Sequence, residues 1–252
     1  MELGINGKVI KIILSNTIIM RSIFSPKNYK QMFCYLNKCK RIYVILRLIL
    51  LIISVNSILL TFGCTVKVPM SPKVDKFYVE EKLPVEAGLL ISEETKNYVF
   101  RGHPESFTAG ARPHEFPLGK ALEDASIQVF SRIFKRLYLV RTHHEAKKIK
   151  IFIEPNIEEF HFRYDQLSYA GFAVAVISKI KIHVVLGSGE TIIWEKSIES
   201  PEQRKGPWVF NLKAEKEVGE SATDALIYSL NEAAKEIVTN RNIWEYVEKV
   251  YK

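Results

Sequence analysis

"GFAVAVISKIKIHVVL", residues 171–186, alternates apolar and polar side chains through its centre, from Lys179 to Val184. Val174, Val176, Ile180, Ile182, Val184 and Leu186 occupy even positions, with Lys179, Lys181 and His183 between them. Successive side chains of a strand point to opposite faces, so this period predicts a strand with one buried and one solvated face. "GSGE" (187–190) supplies a turn, and "TIIWEKSI" (191–198) reads as the returning strand of a hairpin.

Upstream, "EEFHFRY" (158–164) sets Phe160, Phe162 and Tyr164 against Glu159, His161 and Arg163. "KIKIFI" (148–153) also alternates, and Pro155 is expected to bend or end it; "LYLV" (137–140), "AGLLIS" (87–92) and "NYVF" (97–100) read as short strands. The period then lengthens. Leu118, Leu122, Ala125, Val129 and Ile133 predict a helix over about 118–135, begun at Pro117 where a missing N–H costs nothing. Ala222, Leu226, Leu230, Ala233 and Ile237 predict a second helix with Ser221 and Asp224 as its capping pair, and a tail helix from about Asn242 carries Ile243, Trp244 and Val247. The expected fold is α+β: a two-layer sandwich, mainly antiparallel, with two long helices packed on one face, forming a single domain over 86–252.

Charge and cysteine divide the chain at one place. Of its 36 basic and 28 acidic residues, nine and one lie within 1–64, so the remainder is neutral. A nucleic-acid-binding face needs basic residues clustered on the folded part, and no nucleic-acid partner is expected. Cys34, Cys39 and Cys64 are the three cysteines, so residues 65–252 can hold neither a disulfide nor a thiolate metal site.

The run "YVILRLILLIISVNSILLTF" (43–62) follows Lys38, Lys40 and Arg41 and has the basic and apolar regions of an export signal. An uncleaved membrane anchor is the alternative, weakened by Arg47 and Asn56. Both place the remainder outside the cytoplasm, because positive charge stays inside. Thr61-Phe62-Gly63-Cys64 resembles the lipobox of bacterial lipoproteins. That resemblance implies cleavage between Gly63 and Cys64, a lipid on Cys64, and membrane attachment through it. Thr61 and Phe62 depart from the usual leucine and small residue. Residues 32–63 form a self-contained signal from Met32, so 1–31 are either an over-extended start or a cytoplasmic tail. The proline-bearing stretch 64–85 reads as an extended tether. Thr65 stands where aspartate retains enteric lipoproteins at the inner membrane, so the resemblance implies the periplasmic face of the outer membrane, with inner-membrane anchoring as the alternative.

The element order is also similar to small outer-membrane lipoprotein domains, among them the lipopolysaccharide-assembly lipoprotein and auxiliary lipoproteins of lipid-transporting ABC systems. It covers most of 86–238 and implies a non-enzymatic accessory or scaffold role in envelope assembly or lipid transport, with an envelope protein as partner.

Chemistry-bearing residues are few. The loop "RGHPESFTAGARPHEFP" (101–117) holds Arg101, His103, Glu105, Ser106, Arg112, His114 and Glu115. About 17 residues of loop are long for a domain, and Arg101, His103, Arg112 and His114 form a candidate binding loop. A periplasmic hydrolase built from this loop, and a lipid or polysaccharide carrier, are the alternatives; the loop lacks the G-x-S-x-G turn. Arg163, Lys179, Lys181 and His183 form a candidate strip for anionic ligands, opposed by Glu159, Glu195 and Glu199. His143-His144-Glu145 lacks the one-turn or alternating spacing of zinc ligands and reads as a polar turn, so no metal and no cofactor is expected. Trp194 and Trp208 read as packing residues, and "PEQRKGPWVF" (201–210) as a second contact loop.

Overall fold

A computed structural model describes residues 65–74, 79, 81–105, 112–165, 173–208 and 214–251. Gly63, Cys64 and the signal and leader assignments over 1–63 lie outside the described residues, as does Ser106. In chain order the elements are β1 (Val66–Lys67), β2 (Leu83–Leu90), α1 (Glu93–Lys96), β3 (Phe100–Gly102), β4 (His114–Phe116), α2 (Leu118–Phe130) and β5 (Phe134–Val140). There follow α3 (His143–Ala146), β6 (Ile151–Asp165), β7 (Val174–Ser188), β8 (Thr191–Glu199), β9 (Gln203–Trp208), α4 (Ala214–Thr239) and α5 (Arg241–Tyr251).

The long alternating strand forms as β7, with Ile180, Ile182, Val184 and Leu186 buried and Lys179, Lys181 and His183 facing out. It is the hub of a six-stranded sheet ordered β5-β2-β6-β7-β8, with β9 also on β7. β8 pairs with Lys181–Ser188 and β9 with Val174–Ser178, so the two lie in tandem along one side of β7. Ser200 fills the break: its N–H donates to the Ile180 carbonyl (2.8 Å) and its Oγ accepts from the Ile180 N–H (3.0 Å). The expected contact loop at 201–210 is therefore corrected over Gln203–Trp208, which is strand.

The sheet is mixed: its ladders on β7 are antiparallel, as expected for most of the sheet, but those on β2 are not. β2 runs parallel to both β5 and β6. The chain between β2 and β5 passes through α2, and a helical crossover returns a strand in its original direction. Alternation within a segment reports its faces and not its direction, which explains the difference.

Pro155 does not end a strand. β6 runs through it, with Pro155 opposite Val184. The ladder with β2 stops at Ile153, so Pro155 lies where one side of β6 is an open edge and proline is tolerated. A bulge between Ile157 and Glu159 then reverses the parity. Ile151 and Ile153 face the main core before it, Phe160 and Phe162 after it, so two apparent strands of opposite phase form one.

The core joins these strands to α2 and α4. Leu118, Leu122, Ala125 and Val129 of α2 and Ala222, Leu226, Leu230, Ala233 and Ile237 of α4 are fully buried in it. α4 lies against β7, β8 and β9, and α2 lies against α4, β5 and β6. The predicted 118–135 helix stops at Phe130, because Phe134 already belongs to β5. α4 begins seven residues before Ser221, so the expected cap is corrected. Ser221 Oγ donates to the Gln203 carbonyl (2.7 Å) and Asp224 pairs with Lys205 (2.6 Å). α5 forms with Ile243 and Val247 buried, and Trp244 donates its ring N–H to the Val238 carbonyl (2.6 Å).

The expected tether is corrected over its described part. Val66 and Lys67 form β1, parallel to β4, and Val68 and Val74 are 2% and 5% exposed within the main core. Gln128 of α2 accepts from the Val74 N–H and donates to the Pro72 carbonyl, and Arg132 donates to the Val74 carbonyl. The backbone passes so close to α4 that a Cβ on Gly219 would lie 1.9 Å from the Pro69 carbonyl oxygen. Valine and proline here supply apolar contact as well as stiffness, which the proline count by itself conceals.

Candidate functional site

The loop expected over 101–117 is partly a sheet: β1, β4 and β3 pair side by side in that order. Its inner face carries Phe100, His114 and Phe116 against Phe160 and Phe162 of β6. Ring centroids lie 4.7 Å apart for Phe116 and Phe160 and 4.9 Å for Phe100 and Phe160. Such edge-on aromatic contacts fasten the small sheet to the large one. Glu105 reinforces the junction through its N–H to the Phe162 carbonyl (2.8 Å) and its carboxylate to His161 (2.5 Å).

His114 is part of this junction. It is 6% exposed, with Nδ1 at 3.1 Å from the Arg112 carbonyl oxygen and Nε2 at 3.1 Å from the Tyr164 hydroxyl. A carbonyl can only accept, so Nδ1 carries the proton and Nε2 accepts from Tyr164. Burial lowers the His114 pKa, against the raising influence of the Arg112 carbonyl and Glu215. Burial, and then Glu215, pushes the Tyr164 hydroxyl up to about 12. The pair is a neutral, satisfied contact that holds the start of β4.

The remaining members of the candidate loop face outward. Arg101 extends into solvent, with its guanidinium 3.0 Å from Glu115. Lys67, Glu115 and Arg101 occupy one cross-strand row. His103 follows β3 and Arg112 precedes β4, both exposed, so the register brings Arg101, His103 and Arg112 to one end of the small sheet while His114 lies beneath them. Lys67 was not singled out from the sequence. Its available signal was the alternation of "TVKV", masked by the prolines after it.

The strip on the outer face of the large sheet forms as a row, but its charges are matched. Arg163 meets Glu202 with two hydrogen bonds (3.1 and 3.2 Å), Lys179 meets Glu199 (2.6 Å), Lys181 meets Glu158 (3.1 Å), and His183 lies 3.9 Å from Glu195. Bonds from Ser197 and Lys181 lower the Glu158 pKa, and the bond to Glu158 raises that of Lys181. The bond to Glu105 raises the His161 pKa. Two of these partners, Glu158 and Glu202, come from a bulge and from a connection whose positions only the folded chain sets.

His143 and His144 lie in the single turn of α3, exposed, with Thr142 capping it through a bond from the Glu145 N–H. Among the described residues no group of histidine, cysteine, aspartate and glutamate is placed to hold a metal. Trp194 packs against the core. A surface groove of 410 Å³ lies between Met70–Lys73 and Lys120, Asp124, Ile127 and Gln128 of α2. Among the described residues no helix is long and apolar enough to cross a membrane.

No family model matches the chain, and no curated protein matches it. Solved structures with distant likeness include a Xanthomonas campestris protein of a family of unknown function. It is 10% identical over 74% of this chain and 99% of that one, with a TM-score of 0.41. A homolog of the neuraminyllactose-binding hemagglutinin from Helicobacter pylori is 12% identical over 69% and 98%, at 0.40. The uncharacterized lipoprotein B from Nitrosomonas europaea is 12% identical over 68% and 93%, at 0.30. Likeness this distant carries no argument about what the chain does.

Proposed function

We propose that this chain is a bacterial lipoprotein, anchored through a lipid on Cys64. On this reading it is a non-enzymatic accessory or scaffold of envelope assembly or lipid transport, on the periplasmic face of the outer membrane. The observation that carries the reading is the packing of Val66–Val74. The first described element begins two residues after Cys64, so cleavage between Gly63 and Cys64 leaves every described element whole. Freedom from cysteine suits the domain to an oxidising compartment.

A partner protein has a candidate surface at β5, which among the described residues pairs only with β2 and leaves one edge open. Tyr138 and Leu139 are exposed there. Open edges accept added strands, and an aromatic residue supplies contact area.

The test is Cys64→Ser. The variant should accumulate as unprocessed precursor and take up no palmitate, and normal processing would remove the anchoring reading. Membrane fractionation of the wild type distinguishes outer from inner membrane. A photoreactive group at Tyr138 should crosslink one envelope protein, and its absence from every crosslinked species would remove the scaffold role.

A further inference from the structure

The anchor and the small sheet are too close to be independent. From Cys64 to Val66 is two residues, at most about 7 Å of extended chain. β1 is held from both ends: the Val66 N–H donates to the Pro113 carbonyl and the Val68 N–H to the Glu115 carbonyl, each at 2.9 Å. A lipid on Cys64 therefore cannot let the domain swing freely. It fixes which part of the domain touches the membrane.

The register identifies that part. Val66 and Gly102 both face His114, so the chain passes back toward Cys64 at the sheet end where Arg112 precedes β4 and His103 follows β3. Lys67 and Arg101 stand on the adjacent outward row, flanking Glu115. The charge balance here differs from that of the large sheet. Among the described residues, Glu115 meets Arg101, while Lys67 and Arg112 have no carboxylate partner. His103, exposed at the same end, completes a basic surface.

We propose that this surface, formed by Lys67, Arg101, His103 and Arg112, lies against anionic phospholipid headgroups and sets a fixed orientation of the domain on the membrane. The inference rests on lipid attachment at Cys64. Charge complementarity and the two-residue reach both select a lipid surface as the occupant. Long basic side chains near such a surface gain from its negative potential, which decays within a Debye length. Anchoring at this end turns the β7–β8 turn away. Ile192, 56% exposed beside that turn, lies about 25 Å along β6 from the aromatic junction under the small sheet.

The processed protein, beginning at its lipid-bearing Cys64 and holding no other cysteine, would be purified and reconstituted into vesicles of phosphatidylglycerol and phosphatidylethanolamine. A fluorophore at His103→Cys or at Ile192→Cys reports on quenching by a headgroup nitroxide lipid. The His103 reporter should be quenched and the Ile192 reporter should not. Lys67→Glu with Arg112→Glu, and independently high salt, should cut the His103 quenching by about half or more while the protein stays with the vesicles. Equal quenching at both positions overturns the orientation, as does quenching indifferent to charge reversal and salt, or equal in neutral vesicles. Loss of the unsubstituted chain from the vesicles overturns the anchor and the orientation together. Retention without His103 quenching overturns the orientation only.

Discussion

Gly219→Ala tests the docking of the N-terminal segment at its tightest point. The new Cβ would lie 1.9 Å from the Pro69 carbonyl oxygen, 3.0 Å from its carbon and 3.3 Å from a Val68 methyl. Ordinary contact requires that backbone to retreat by about 1.5 Å, and because a backbone atom is involved no rotamer change relieves it. The retreat strains the Val68 N–H bond, worth about 0.5–1.5 kcal/mol, and part of the burial of Val68, worth about 1.5–3 kcal/mol when complete. Alanine returns about 1 kcal/mol as a better helix former. The expected net loss is about 1–3 kcal/mol, which for a domain of this size lowers Tm by about 2–4 °C per kcal/mol. Trypsin supplies the local readout, since Lys67 and Lys73 flank the affected stretch. Cleavage at both should accelerate in the variant before the rest of the domain is attacked. An unchanged Tm together with wild-type resistance at Lys67 and Lys73 would refute the docked segment, and with it the fixed orientation.

Ser200→Ala leaves the Ile180 N–H buried without its acceptor, at the break between β8 and β9. An orphaned buried donor costs about 1–3 kcal/mol, read as a lower urea midpoint at unchanged slope; a shift within error would mean that Ser200 does not bridge the break. His114 gives a pH dependence of known sign. Its folded pKa lies below 6.5, so the unfolded chain takes up the proton first, and stability held above pH 6.5 is lost as the pH falls toward the folded value. The groups facing it are the Arg112 carbonyl, Tyr164, Glu215 and His103, and His114→Gln should flatten the stability slope between about pH 5 and 7. His161 works in the opposite sense, because its raised pKa gives stability that is lost as the pH rises through the folded value. His161→Gln should steepen the slope, and equal slopes in both variants would contradict the two assignments.

Periodicity determined the parts whose partners are nearest. The burial of Ile180, Ile182, Val184 and Leu186 in β7, the β7–β8 hairpin, and the buried faces of α2 and α4 follow from where apolar residues fall, since a side chain's face depends on its own segment. The division at Cys64 into a basic, cysteine-bearing leader and a neutral, cysteine-free remainder is likewise a property of sequence alone. Tertiary structure decided what depends on another segment. The direction of β2 relative to its neighbours follows from the helical crossover, and the two phases of β6 follow from a bulge. The docking of Val66–Val74 needs the bare surface of Gly219, 145 or more residues away in the chain. For the candidate site, residue types were legible and their company was not. Lys179, Lys181 and Arg163 are matched by carboxylates, His114 turns inward to Tyr164, and Arg101, His103 and Arg112 gather beside Lys67 because β1 lies next to β4. Charge is a property of a residue, whereas a free charge is a property of its neighbours, and those the fold assigns.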